Sequence, residues 1–160
     1  MTHSFYLEDV AATERTGAAL ARTLRGGMVV TLEGDLGAGK TTLVRGVLRA
    51  LGWEGPVKSP TYSLVEYYPF SSLYLYHFDF YRFADPREWE TAGLSDCFRD
   101  DSACLVEWPE RVAGLLPTPD VALTLEYLAA QPGRRIDVVA STEKGDRCVA
   151  AIAELALPPH

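Results

Sequence analysis

Met28-Val29-Val30-Thr31-Leu32 runs through Glu33 into Gly34-Asp35-Leu36-Gly37-Ala38-Gly39-Lys40-Thr41, and the following Thr42-Leu43-Val44-Arg45-Gly46-Val47-Leu48 returns apolar residues at helical spacing. A strand-like run, a G-x-x-x-x-G-K-[ST] loop and a helix, in that order, make a phosphate loop. The chemistry needs this spacing. Glycines let successive backbone N–H groups converge on phosphate oxygens without Cβ clashes. Lys40 adds a point charge for the β- and γ-phosphates, the Thr41 hydroxyl is placed to ligate Mg²⁺, and the helix that begins there turns its positive dipole end toward the anion. Gly34, Asp35, Gly37, Ala38, Gly39, Lys40, Thr41 and Thr42 are therefore the expected nucleotide-binding residues.

Outside the loop, 160 residues of which 48% are hydrophobic suffice for one domain with a core and fall short of two, so a single domain over residues 1–160 is expected. Glu8, Asp9 and Glu14 interrupt any signal-like apolar stretch, and no run approaches the ~20 residues of a membrane span, which points to a cytoplasmic protein without membrane contact. Cys97, Cys104 and Cys148 show no C-x-x-C pairing and read as buried reduced thiols. The formal net charge of −7 has the wrong sign for a domain that grips nucleic acid unaided. DNA is not an expected partner, and any RNA role calls for a second protein.

Periodicity predicts a helix over Leu7 to Leu24, ended by Arg25-Gly26-Gly27, and then the first strand. The phosphate-loop helix should stop at Leu51-Gly52, and a loop carrying Val57-Lys58-Ser59-Pro60-Thr61 should lead to two antiparallel strands, Tyr62 to Tyr68 and Leu73 to Phe80. Pro86 to Leu94 reads as a helix capped by Asp85, Ala103 to Trp108 as a short strand, and the residues after Pro109 as a short helix. Val121 to Leu128 and Arg134 to Ala140 read as strands, and Arg147 to Leu157 as a helix. The fold class is thus α/β, a phosphate-loop NTPase-like three-layer sandwich whose central sheet is mixed and partly antiparallel.

A phosphate-loop enzyme also needs carboxylates near its metal, delivered from the carboxyl ends of strands beside the loop. Asp79 closes one such strand and Glu107 closes another. One is expected to bind Mg²⁺ and the other to position water or sense the γ-phosphate, with a salt bridge to Arg82 or Arg111 as the structural alternative for either acid. His77 alternates with aromatic residues and reads as a structural imidazole. Trp108 belongs either beside the nucleotide or in the core. Two other functions fit the same loop: a small-molecule kinase, with Asp79 and Arg82 holding an acceptor, and an ATP-dependent adaptor without turnover.

Gly34 to Thr42, Lys58-Ser59-Pro60-Thr61-Tyr62, His77-Phe78-Asp79-Phe80-Tyr81-Arg82 and Val106-Glu107-Trp108-Pro109-Glu110 together resemble the TsaE (formerly YjeE) family over about Leu7 to Ala140. That family's members are bacterial ATPases of tRNA threonylcarbamoyladenosine formation. The resemblance implies that ATP and Mg²⁺ are the cofactors, that Lys40 contacts phosphates, that Thr41 and Glu107 hold Mg²⁺, and that Asp79 is an active-site acid. It further implies a switch-like role for Thr61 and adenine contacts from Val10 and Arg134. The implied partner is the TsaD–TsaB heterodimer, with tRNA contacted mainly through those partners and ATP hydrolysis resetting the assembly between rounds.

Overall fold

The computed structural model describes residues 2–156. Its frame is a seven-stranded sheet of order β1-β7-β6-β2-β5-β4-β3, built from β1 (Thr2–Leu7), β2 (Val29–Glu33), β3 (Val65–Pro69), β4 (Tyr74–Asp79), β5 (Ser102–Glu107), β6 (Val121–Tyr127) and β7 (Arg134–Ala140). β6, β2, β5 and β4 run parallel at the centre, while β3 joins β4, β7 joins β6 and β1 joins β7 in antiparallel pairs. The sheet is mixed, as its sequence pattern predicts. Central position explains composition: both faces of β2 are covered, so Val29, Val30, Thr31 and Leu32 are all buried.

Helices α1 (Val10–Ala21), α2 (Lys40–Ala50) and α4 (Glu143–Ala156) pack on one face over a core that includes Leu20, Leu43, Val47, Leu75, Leu105, Leu123 and Ile152. Each such aliphatic side chain contributes about 1.5–3 kcal/mol by leaving water. The other face carries an aromatic cluster of Phe78, Phe80, Phe83 and Trp89 with Val106 and Val112, covered by the short α3 (Arg87–Thr91) and 3₁₀ turns at Leu94–Cys97 and Pro109–Val112. Among the described residues no helix is long and apolar enough to cross a membrane.

α1 and α2 approach each other through glycine. A Cβ on Gly17 would strike the Leu43 carbonyl, and one on Gly46 would strike the backbone of Glu14. The helix that carries Lys40 and Thr41 is thereby seated directly on its neighbour.

Several boundaries differ from the sequence reading. β1 is an additional strand, and α1 starts at Val10 because the Asp9 carboxylate accepts the Ala12 N–H at 2.8 Å and caps the helix there. The strand expected from Tyr62 begins only at Val65, since Pro60 O accepts the Leu64 N–H at 2.8 Å and folds the intervening residues into a turn. α3 covers five residues with Pro86 as its cap, while the Asp85 carboxylate accepts the Arg87 N–H instead of capping a longer helix. α4 starts at Glu143, one turn before the expected Arg147; the expected end at Leu157 lies outside the described residues. Cys104 and Cys148 are buried and Cys97 is half-buried, all three as thiols.

Candidate functional site

β2 ends at Glu33, and the chain turns through Gly34 to Gly39 before α2 begins. Gly37 at φ +81° and Gly39 at φ +109° occupy left-handed conformations that a side chain would strain, and a Cβ at Gly39 would also press on the Arg134 side chain at 3.2 Å. The loop opens into a cleft of about 470 Å³ lined by Gly37, Gly39, Lys40, Thr41 and Thr42 on one wall and by Ser59, Thr61, Tyr62, Asp79 and Glu107 on the other. Trp108, Arg82 and Arg134 complete its rim.

Sheet register brings the two acids together. Asp79 is the direct partner of Glu107 at the carboxyl ends of β4 and β5, and both are buried, at 4% and 2% exposure. Two buried carboxyl groups side by side each need hydrogen-bond partners. Asp79 Oδ2 accepts from the Ser59 hydroxyl at 2.7 Å and the Thr61 hydroxyl at 3.3 Å, while Oδ1 accepts the Tyr81 N–H at 2.9 Å. Glu107 Oε2 faces His77 Nε2 at 2.5 Å. Among the described residues neither acid pairs with Arg82 or Arg111; those guanidiniums stack over Tyr62 at 4.7 Å and Tyr81 at 5.8 Å.

Lys40 is buried between the acids and the loop. Its Nζ donates to the Gly34 carbonyl and lies 3.7 Å from the centre of the Trp108 ring. Burial holds its ammonium below the ordinary lysine value, against the opposing pull of Glu107 and Asp79. Trp108 itself is left-handed at φ +58°, a conformation uncommon outside glycine that turns the chain sharply out of β5.

Arg134 reaches the loop from β7, donating to the Gly37 carbonyl at 3.2 Å and the Tyr127 hydroxyl at 2.9 Å, with its guanidinium 4.2 Å from the Tyr127 ring centre. Gly34, Asp35 and Ala38 shape the loop from behind: Ala38 is buried and donates its N–H to Asp35 O at 3.0 Å. Val10 is half exposed on the first turn of α1 and is not part of the cleft lining; Thr13, one turn on, lies against Gly39. Sequence reasoning left Ser59 without a role and gave His77 none in the site. Only the register of β4 against β5 and the fold of the 58–64 loop bring them to the acids.

The donors suit Mg²⁺ with a triphosphate: a threonine hydroxyl and carboxylates are hard oxygen ligands, and the loop supplies the backbone cradle. Among the described residues no three His, Cys, Asp or Glu side chains converge into a self-sufficient metal cage. Mg²⁺ held by one or two carboxylates plus phosphates requires none.

Residues 7–136 match the family model described as TsaE, threonylcarbamoyl adenosine biosynthesis protein. The chain is 42% identical over 153 residues to a tRNA threonylcarbamoyladenosine biosynthesis protein TsaE from Haemophilus influenzae, covering 92% of this chain and 96% of that one. It is 40% identical over 119 residues to the protein of the same name from Bacillus subtilis, covering 74% and 72%. Among solved structures it resembles that of Bacillus subtilis YdiB, with a TM-score of 0.78, 26% identity and coverage of 97% and 96%.

Proposed function

The chain belongs to the TsaE family of threonylcarbamoyl adenosine biosynthesis proteins, and from that premise we propose that it is the ATPase of the tRNA threonylcarbamoyladenosine system. In this reading a single domain of residues 1–160 binds MgATP in the cleft and hydrolyses it in the cytoplasm in complex with a TsaD–TsaB heterodimer, supporting repeated rounds of tRNA modification. One observation carries the hydrolytic part: Asp79 and Glu107 stand in register at adjacent strand ends and open into the same cleft as Gly37 to Thr42.

The residues divide the work. Backbone N–H groups of the loop and the Lys40 ammonium bind and orient the β- and γ-phosphates. Thr41 and Glu107 hold Mg²⁺, which when bound neutralises charge on the phosphates. Asp79 accepts a hydrogen bond from the attacking water and fixes it in line, once the hydroxyls of Ser59 and Thr61 give up that carboxylate. Thr61 is then the switch residue, moving between Asp79 and the nucleotide. Arg134, stacked on Tyr127 beside the loop, contacts the adenine in this reading. The net charge of −7 agrees with partners that supply most tRNA contacts.

The test is phosphate release measured with and without the TsaD–TsaB pair. Partner-stimulated release, abolished by Lys40→Ala, is expected; equal rates in both settings would overturn the partner dependence, and no release in either would overturn the ATPase. Rescue of threonylcarbamoyladenosine in cells lacking the modification, by the intact chain and not by Lys40→Ala, tests the pathway role.

A further inference from the structure

His77 has no part in the mechanism above, yet it is fully buried against one of its acids. Along β4, alternation places Leu75, His77 and Asp79 on the sheet face that carries α1 and α2. In register, His77 stands beside Leu105 and Asp79 beside Glu107, so His77 meets Glu107 diagonally across the strand pair. Its Nε2 lies 2.5 Å from Glu107 Oε2, whereas its Nδ1 is buried with no hydrogen-bond partner among the described residues.

The pairing fits one tautomer of the ring. For the Glu107 oxygen to accept from the ring, Nε2 carries the hydrogen and Nδ1 the lone pair. An aliphatic side chain here would fill the space but leave the buried Glu107 Oε2 without the partner that His77 supplies. The contact engages Oε2 and restrains the carboxylate plane, and among the described residues no side chain bonds Oε1 of this cleft-lining residue. Outer partners of this kind orient ligands, and their loss typically costs about 10- to 100-fold in metal affinity.

Resting on the ATPase reading, we propose that His77 is a positioning residue that holds Glu107 through its Nε2–H so that the other carboxylate oxygen is presented to the metal of the bound nucleotide.

The experiment titrates Mn²⁺, followed by electron paramagnetic resonance, into the full chain with a non-hydrolysable ATP analogue. Glutamine can place its amide nitrogen where Nε2 stands, and asparagine cannot. His77→Asn should weaken Mn²⁺ binding by about tenfold or more, His77→Gln should stay within about threefold of the parent, and analogue affinity in EDTA should be the same for all three. Equal Mn²⁺ affinity for parent and His77→Asn, or no recovery in His77→Gln, overturns the inference. Glu107→Gln separates the two readings: if it too leaves Mn²⁺ binding unchanged, the metal assignment of the ATPase reading fails first, whereas a loss there without a loss in His77→Asn removes His77 alone. Independently of any variant, ¹⁵N chemical shifts should show the Nε2–H tautomer, and an Nδ1–H tautomer would overturn the inference.

Discussion

The Lys40 ammonium lies 3.7 Å from the centre of the Trp108 indole ring, on the outward-turned residue that follows Glu107. In the proposed reading, bound phosphates would compete with that ring for the same cation. Adding MgATP should therefore change tryptophan emission, and Trp108→Phe should abolish the change while Trp53 and Trp89 continue to emit. A full signal in Trp108→Phe would show that Lys40 does not leave the ring.

Asp79 and Glu107 should separate by kinetics. Asp79→Asn replaces the proposed carboxylate acceptor for water with a neutral, weaker amide oxygen and should lower partner-stimulated kcat by about 10²-fold or more, with MgATP affinity nearly unchanged. Glu107→Gln should instead raise the Mg²⁺ concentration needed for half-maximal rate. Steady-state phosphate release at varied Mg²⁺ checks both, and identical profiles would refute the division of roles.

Ser59 donates to a carboxylate that is almost fully buried, and a hydrogen bond to a charged group is worth about 1.5–3 kcal/mol. Its removal in Ser59→Ala should free the turn closed by Pro60 and Leu64. Amide hydrogen exchange over residues 59–64 should speed up, while the amides of α2 keep their protection. Unchanged exchange in the turn would mean that Thr61 and the backbone suffice to hold it.

Burial pushes the Cys104 thiol up to about 12 from an ordinary 9.0. The folded protein therefore keeps the proton where the unfolded chain has lost it, so stability falls as pH rises from about 9 towards 12. Cys104→Val should flatten part of that fall relative to the parent, measured as the difference in urea midpoints between pH 8 and pH 10. Alkylation of Cys104 at pH 8 should wait for unfolding.

Much of the central architecture was legible because it is written locally. The buried run into β2, the glycine spacing of the loop and the apolar periodicity of α2 each lie within one short window, and the acids at the ends of β4 and β5 closed recognisable strands. β1 was not legible. Its exposed Thr2, Ser4 and Tyr6 alternate with partly buried residues, and it becomes a strand by pairing with β7, from which it is separated by most of the chain. The turn before β3 escaped for a similar reason: Leu64 is left-handed at φ +70°, and its carbonyl accepts the Asp79 N–H at 3.0 Å, a long-range bond that composition does not announce. The partner of His77 lies thirty residues away, and only strand register selects it.

The glycine crossing of α1 and α2 leaves the cleft between unequal jaws. One side is an anvil, with backbone against backbone at Gly17 and Gly46 and no slack for α2 to slide. The opposite side hangs on side-chain hydroxyls, Ser59 and Thr61 both on Asp79, with no glycine-to-backbone contact of that kind behind them among the described residues. If the cleft holds a triphosphate as proposed, its state would be signalled from the yielding side, and a neighbour that responds to it would touch the surface around Thr61 and the exposed Tyr62.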